Sequence, residues 1–137
     1  MSQKILLTWL IESEDIFRQI EKYITPEDFS EGLFRKVAEL LYEQYEKHEA
    51  NPAQIMNHFT DEEEHREVAG LFHTKIKELT TVKEQEKALQ ETILRVKEHS
   101  IEEATKNLDP TDIQGLQRLM NEKRKMQDLR TLHISIN

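Results

Sequence analysis

The sequence contains no cysteine, and few of its residues interrupt helices. The absence of cysteine excludes disulfides, thiolate metal sites and a cysteine nucleophile. Only three glycines and three prolines occur in 137 residues, so long helices are expected. The longest apolar stretches, Ile5–Leu7 and Trp9–Ile11, fall far short of the roughly 20 residues that span a bilayer, and no signal-peptide cleavage pattern follows them. We therefore expect a cytoplasmic chain without membrane contact.

Aromatic residues are absent from the last 65 positions of the chain, since the last aromatic is residue 72 of 137. Aromatic side chains supply much of the buried area of a core, so the compact core is expected within residues 1–80. Residues 82–137 hold aliphatic and methionine stripes, which are typical of a helical hairpin. The sequence thus predicts an all-α protein: a helical bundle over residues 1–95, whose last helix is long and connects it to a C-terminal helical hairpin over residues 96–137.

Helical periodicity is present in every patterned stretch, and no stretch alternates with a period of two. N-cap residues divide the chain into helices. The predicted caps are Ser13, Ser30, Asn51 with Pro52, Thr60 with Glu63, Thr81 with Glu84, and Asp109 with Pro110. The helix after Thr81 is expected to run to about Asn107, and the last helix from Leu108 to Arg130.

The net charge of −8 is unevenly distributed. Residues 1–80 carry 9 Lys/Arg and 17 Asp/Glu, a sum of −8, whereas residues 81–137 carry 10 of each. An acidic body argues against a nucleic-acid platform, which needs clustered basic side chains to neutralise phosphates. Arg118–Arg130 is locally basic, with five basic and two acidic side chains.

No set of residues converges on a catalytic chemistry. The three glycines are isolated in helical context, so no phosphate-binding loop is expected. Glu62-x-x-His65 has the spacing found in di-metal bundles, but such sites need two of these motifs and two further glutamates. The sequence predicts no catalytic, cofactor-binding or metal-binding residues.

The last helix presents an apolar stripe that charged residues interrupt at 121–125. Anchors at i, i+3/i+4 and i+7 are typical of a helix that binds in a groove of another protein, and methionine suits adaptable contact surfaces. The candidate partner-binding residues are Leu116, Leu119, Met120, Lys123, Arg124, Met126, Leu129 and Arg130.

Three stretches give the chain a resemblance to a known family. They are "ILLTWLIESEDIFRQI" at residues 5–20, "EDFSEGLFRKVAELLY" at residues 27–42, and "LQRLMNEKRKM" at residues 116–126. Over nearly its whole length the chain resembles the C-terminal helicase-binding domain of bacterial DNA primase.

The resemblance implies a non-catalytic domain without cofactors, since the active site of such primases lies on other parts of the chain. Its hairpin would dock onto the N-terminal domains of the hexameric replicative helicase and couple primer synthesis to unwinding. Basic side chains such as Lys123 and Arg124 would lie at the rim of that contact. The domain is expected to be monomeric alone and not to bind nucleic acid directly.

Three alternatives stay open. The N-terminal domain of the replicative helicase shares the architecture of a bundle followed by a hairpin, but its hairpin would self-associate. A di-metal helical-bundle enzyme would contain metal when purified. A small nucleic-acid binder that uses the basic segment would show a weak and steeply salt-dependent affinity.

Overall fold

A computed structural model describes residues 2–73 and 81–136, together with all of their side chains except those of residues 72 and 73. Over these residues the protein is all-α, and no strand is present. Two 3-10 helices, Pro26–Asp28 and Pro52–His58, lie between α-helices. The α-helices are α1 (Ser2–Glu12), α2 (Glu14–Ile20), α3 (Leu33–Glu46), α4 (Glu62–His73), α5 (Val82–Lys106) and α6 (Ile113–Thr131).

Two of the predicted N-caps are confirmed. The Ser13 hydroxyl accepts the Ile16 N–H at 3.2 Å, and the Thr81 hydroxyl accepts the Glu84 N–H at 3.2 Å. Each bond satisfies one of the N–H groups that the first turn of a helix leaves unpaired. The long helix α5 ends at Lys106, as its pattern predicts.

The prediction that Ser30 caps the third helix is wrong. α3 begins at Leu33 after Gly32, whose φ of 116° lies in the region that favours glycine. Ser30 is occupied elsewhere: its N–H donates to Gln3 Oε1 at 3.0 Å, and its hydroxyl accepts from the Gln3 amide at 2.8 Å. These bonds connect the loop before α3 to the start of α1.

The cap of α4 is also displaced from its prediction. Asp61, not Thr60, accepts the Glu64 N–H at 3.2 Å, because a carboxylate follows the threonine directly and competes for the same role. Asn51-Pro52 opens a 3-10 helix rather than an α-helix, and the Asn51 side chain makes no cap bond. The expected continuation of the α4 stripe to Ile76 and Leu79 lies outside the described residues.

The last helix begins later than the sequence predicts. Asp112 is its N-cap and accepts the Gly115 N–H at 2.9 Å, so α6 starts at Ile113 rather than at Leu108. Asp109 instead accepts the N–H and the hydroxyl of Thr111, at 2.9 and 2.8 Å, and stabilises the turn that leads into the cap. Asp109 and Asp112 both fit the sequence pattern of an N-cap, and the turn at Thr111 leaves Asp112 as the residue that caps α6.

One hydrophobic core joins the N-terminal helices to α5 and to the end of the chain. In this core the ring of Phe17 contacts two tyrosine rings, and its centroid lies 4.7 Å from the centroids of both Tyr42 and Tyr45. The core extends beyond residue 80, where the aromatics end: Leu89, Ile93, Val96, Leu129 and Ile134 also belong to it. Aliphatic side chains from α5 and the C-terminal segment therefore complete a core that the aromatic residues begin.

Candidate docking surface on helix α6

Helix α6 packs antiparallel against α5 and leaves one apolar strip uncovered. Along this strip the exposed fractions are 70% for Ile113, 39% for Leu116 and 64% for Met120. The spacing i, i+3, i+7 places the three side chains on one side of the helix. Ile113 was not among the predicted residues, although its position three residues before Leu116 is a readable signal.

The same side of α6 becomes basic toward its C-terminal half. Lys123 and Arg124 are exposed and follow Ile113 by ten and eleven residues, so they continue the line of the apolar strip. We define the exposed α6 face as Ile113, Leu116, Met120, Lys123 and Arg124. Such a face suits a partner that offers an apolar groove beside acidic side chains.

The structure places three of the predicted anchors away from that face. Leu129 is 1% exposed and belongs to the hydrophobic core, and Leu119 is 9% exposed. Met126 is half-buried. The expectation that Leu119 and Leu129 project as free anchors is therefore corrected, because α6 uses them to pack on its own chain. Arg130 is exposed but lies beyond the face, near the end of the helix.

The segment after α6 folds back onto the body. The Gln90 side-chain amide donates to the carbonyls of Leu129 and Arg130 in the last turn of α6 and of Leu132 just after it, at 3.2 to 3.3 Å. Ile134 is buried. Ser135 and Gln19 exchange two hydrogen bonds of 2.9 Å. Contacts from α5 and from α2 therefore hold the C-terminal half of α6 and the segment after it against the body.

A cleft of about 810 Å³ separates the first half of α6 from the 3-10 helix Pro26–Asp28. Its walls come from that 3-10 helix with the loop after it, from the second half of α5 and from the first half of α6. Asp28 and Glu122 are among the lining residues, and both bind the buried side chain of Lys97. The first half of α6 thus contacts the body next to a group of charges.

These charged residues, Asp28, Lys97 and Glu122, form what we call the charge cluster. The Lys97 ammonium donates to both Asp28 oxygens at 3.2 Å, to the Tyr23 carbonyl at 2.9 Å, and to Glu122. The Lys97 side chain is fully buried. Sequence reasoning missed the cluster, although Lys97 follows Leu89 and Ile93 at helical spacing and so falls on the apolar stripe of α5.

The surroundings of Glu122 act on the pKa of its carboxyl group in opposite directions. Burial alone would raise the pKa of its carboxyl group, but hydrogen bonds and charges from Lys97 and Lys125 hold that pKa below its ordinary value of 4.5. Lys125 Nζ lies 3.2 Å from the second Glu122 oxygen. Glu122 is therefore an ionised carboxylate shared by two lysines at neutral pH.

Within residues 2–73 and 81–136, no group of three or more histidine, aspartate or glutamate side chains is placed to hold a metal ion. Glu62, the first residue of the Glu62-x-x-His65 motif, forms a surface ion pair with Arg66 at 3.8 Å. In the same part of the chain, no helix is both long enough and apolar enough to cross a membrane.

No protein-family model, no curated protein and no solved structure matches the chain.

Proposed function

We propose that this chain is a non-catalytic protein-interaction domain of bacterial DNA primase. It binds the N-terminal domains of the replicative hexameric helicase in the cytoplasm and couples primer synthesis to unwinding. The proposal rests on the resemblance of residues 5–20, 27–42 and 116–126 to the helicase-binding domain of that family.

The structural observation that supports the proposal is the exposed α6 face. α6 is anchored to α5 and the body by Leu129 and by the Gln90 bonds, yet its first half leaves Ile113, Leu116 and Met120 in solvent. A contiguous exposed apolar strip on a helix of fixed position favours a protein-binding role. In this view α5 and α6 form the docking hairpin, and the N-terminal helices support it.

The basic end of the face adds a charge preference to the partner. Lys123 and Arg124 extend the apolar strip by about one turn, so an acidic rim on the helicase would meet them. Exposed rim charges mainly change the association rate and its salt dependence. We therefore expect the rate of complex formation to fall as the salt concentration rises, with the apolar strip supplying most of the affinity.

The test is light scattering coupled to size-exclusion chromatography, on the chain alone and mixed with the replicative helicase of the same organism. The proposal predicts a monomer alone and a stable complex in the mixture. If the chain alone forms trimers or larger assemblies at micromolar concentration, the helicase N-terminal domain becomes the better assignment. If the chain is monomeric and no complex forms, the helicase is not its partner.

A further inference from the structure

Lys97 is a buried cation at a position where helix α5 otherwise presents apolar side chains. Its side chain is fully buried, and Ile93 one turn earlier is 1% exposed. Burial of an ammonium group is unfavourable unless oppositely charged and hydrogen-bonding partners surround it. An apolar side chain would fill this position of α5 without that cost, so the charge of Lys97 has a role other than packing.

The partners of Lys97 come from three separate parts of the chain. Asp28 lies in the 3-10 helix, Tyr23 in the segment before it, and Glu122 in α6. Asp28 is fixed in turn, because it accepts the Thr25 N–H at 2.9 Å and the Ser100 hydroxyl at 2.8 Å. Lys97 and Asp28 thus form a buried, hydrogen-bonded ion pair on the body, and Glu122 of α6 binds the Lys97 ammonium of that pair.

Glu122 lies on the side of α6 opposite the exposed face. It follows Met120 by two residues, which is about 200° around the helix. The rotation of α6 that brings Glu122 to Lys97 therefore also turns Leu116 and Met120 outward. A carboxylate that must meet a buried ammonium specifies this rotation more sharply than aliphatic contacts do, because aliphatic side chains repack in several ways.

The two halves of α6 are fixed by different means. The C-terminal half is fixed by Leu129, Ile134 and the Gln90 bonds. In the first half, Leu119 is 9% exposed, and Glu122 makes the ionic contact to Lys97 while its own side chain is one-third exposed. The position of the first half therefore depends in large part on a charge that solvent can reach.

We propose that Lys97 is a positioning residue. The charge cluster sets the rotation and tilt of the first half of α6, and removal of the Glu122 charge releases that half from α5 and disorders the exposed α6 face. This deepens the proposed function, and only its consequence for helicase binding depends on that function. Binding then requires a helix that the charge cluster holds ready for docking.

The test measures the position of α6 directly. Because the chain has no cysteine, spin labels attach specifically to introduced cysteines at the exposed positions Glu39 in α3 and Gln117 in α6. Pulsed electron paramagnetic resonance then gives the distance distribution between the two labels. The variants are Glu122→Gln, which keeps the shape without the charge, Glu122→Asp, which keeps the charge, and Glu98→Gln, an exposed matched control on α5.

We expect one narrow distance distribution for the parent chain and for Glu98→Gln. Glu122→Gln should broaden or shift the distribution with unchanged helix content by circular dichroism, and Glu122→Asp should recover most of the narrow population. A purely structural role would lower stability without moving α6. A distribution for Glu122→Gln that matches the parent overturns the proposal.

Helicase titration of the same Glu122 and Glu98 variants, without the cysteines and spin labels, separates the two proposals. If the loss of the Glu122 charge leaves only about a tenth of the molecules with α6 in the binding-competent position, the apparent affinity of Glu122→Gln for the helicase falls about tenfold. If the distance distribution broadens for Glu122→Gln but not even the parent chain binds the helicase, the positioning role of the charge cluster is upheld and the proposed function is wrong. If the parent binds and Glu122→Gln binds equally well, the exposed α6 face does not depend on the cluster for binding and that part of the inference is wrong.

Discussion

The ammonium nitrogen of Lys97 lies 3.2 Å from both carboxylate oxygens of Asp28, although 69 residues separate the two in the sequence. Both side chains are buried, with exposed fractions of 0% and 5%. A buried ion pair adds little net stability compared with a well-packed apolar pair, because both charges lose their hydration. What it supplies is specificity, since few other arrangements of α5 and the 3-10 helix satisfy both charges.

The first prediction concerns the removal of the buried cation. Lys97→Met leaves Asp28 buried without its counter-ion and should lower the free energy of unfolding by about 3–5 kcal/mol. Urea unfolding followed by circular dichroism measures the change. Lys123→Met removes the same charge from an exposed position and should change stability by less than about 0.5 kcal/mol. Equal unfolding midpoints for the two variants would contradict the burial of Lys97.

The second prediction separates the two ends of α6. Leu129→Ala removes a side chain that is 1% exposed and should cost about 2–5 kcal/mol of stability. Leu116→Ala removes a side chain that is 39% exposed and should cost less than about 1 kcal/mol. Thermal and urea unfolding of both variants provides the comparison. A larger loss for Leu116→Ala would mean that α6 packs with its other side toward α5.

The third prediction concerns stability at alkaline pH. The Tyr45 hydroxyl donates to the Leu10 carbonyl at 2.6 Å, and burial followed by the nearby Glu14 charge raises the pKa of Tyr45 to about 12, against the partial opposition of Arg18. Because the folded pKa lies above the ordinary value of 10.0, the stabilisation is complete below pH 10 and is lost as the pH rises toward about 12. Unfolding measured at intervals from pH 9 to 12 should show this decline. Tyr45→Phe should make the decline less steep, while Tyr42, whose pKa burial also raises, should keep part of it. An identical slope for the variant would contradict the assignment.

The fourth prediction tests where α6 begins. Asp112→Ala removes the carboxylate that accepts the Gly115 N–H and should cost about 1 kcal/mol of stability. Amide exchange should accelerate in the first turn of α6 in this variant. Asp109→Ala affects the preceding turn, so the Gly115 amide should keep its protection. If Asp109→Ala instead exposes the first turn of α6, the helix begins earlier than Ile113.

Local signals in the sequence account for much of the fold but fail where two candidates compete. Ser13 and Thr81 cap their helices as expected, and each directly precedes the first turn that its hydroxyl caps. Asp109 and Asp112 both precede the last helix, and only the turn built around Thr111 decides between them. Choices of this kind depend on backbone geometry over a few residues, which composition and periodicity do not determine.

Contacts between distant parts of the chain were the least predictable. The position of Lys97 on an apolar stripe is visible in the sequence, but the identity of Asp28 and Glu122 as its partners is not. Leu129 likewise fits an exposed anchor or a core residue equally well by spacing. The return of Ile134 to the body and the bonds from Gln90 decide that it is core.

The burial of Leu129 and Ile134 also determines how binding should be tested. Removal of residues 108–137 would take both side chains out of the core and would confuse loss of binding with loss of folding. Substitutions on the exposed α6 face avoid this problem. Met120 and Val82 form a matched pair of exposed apolar residues, 64% and 54% exposed, on α6 and at the start of α5.

The most direct measurement is therefore calorimetric titration of three forms into the replicative helicase from the same organism: the parent chain, Met120→Glu and Val82→Glu. The account predicts that the parent and Val82→Glu bind alike, whereas Met120→Glu binds at least about tenfold more weakly, because its charge enters an apolar contact. Equal binding of Met120→Glu and the parent, or binding by none of the three, would contradict the account.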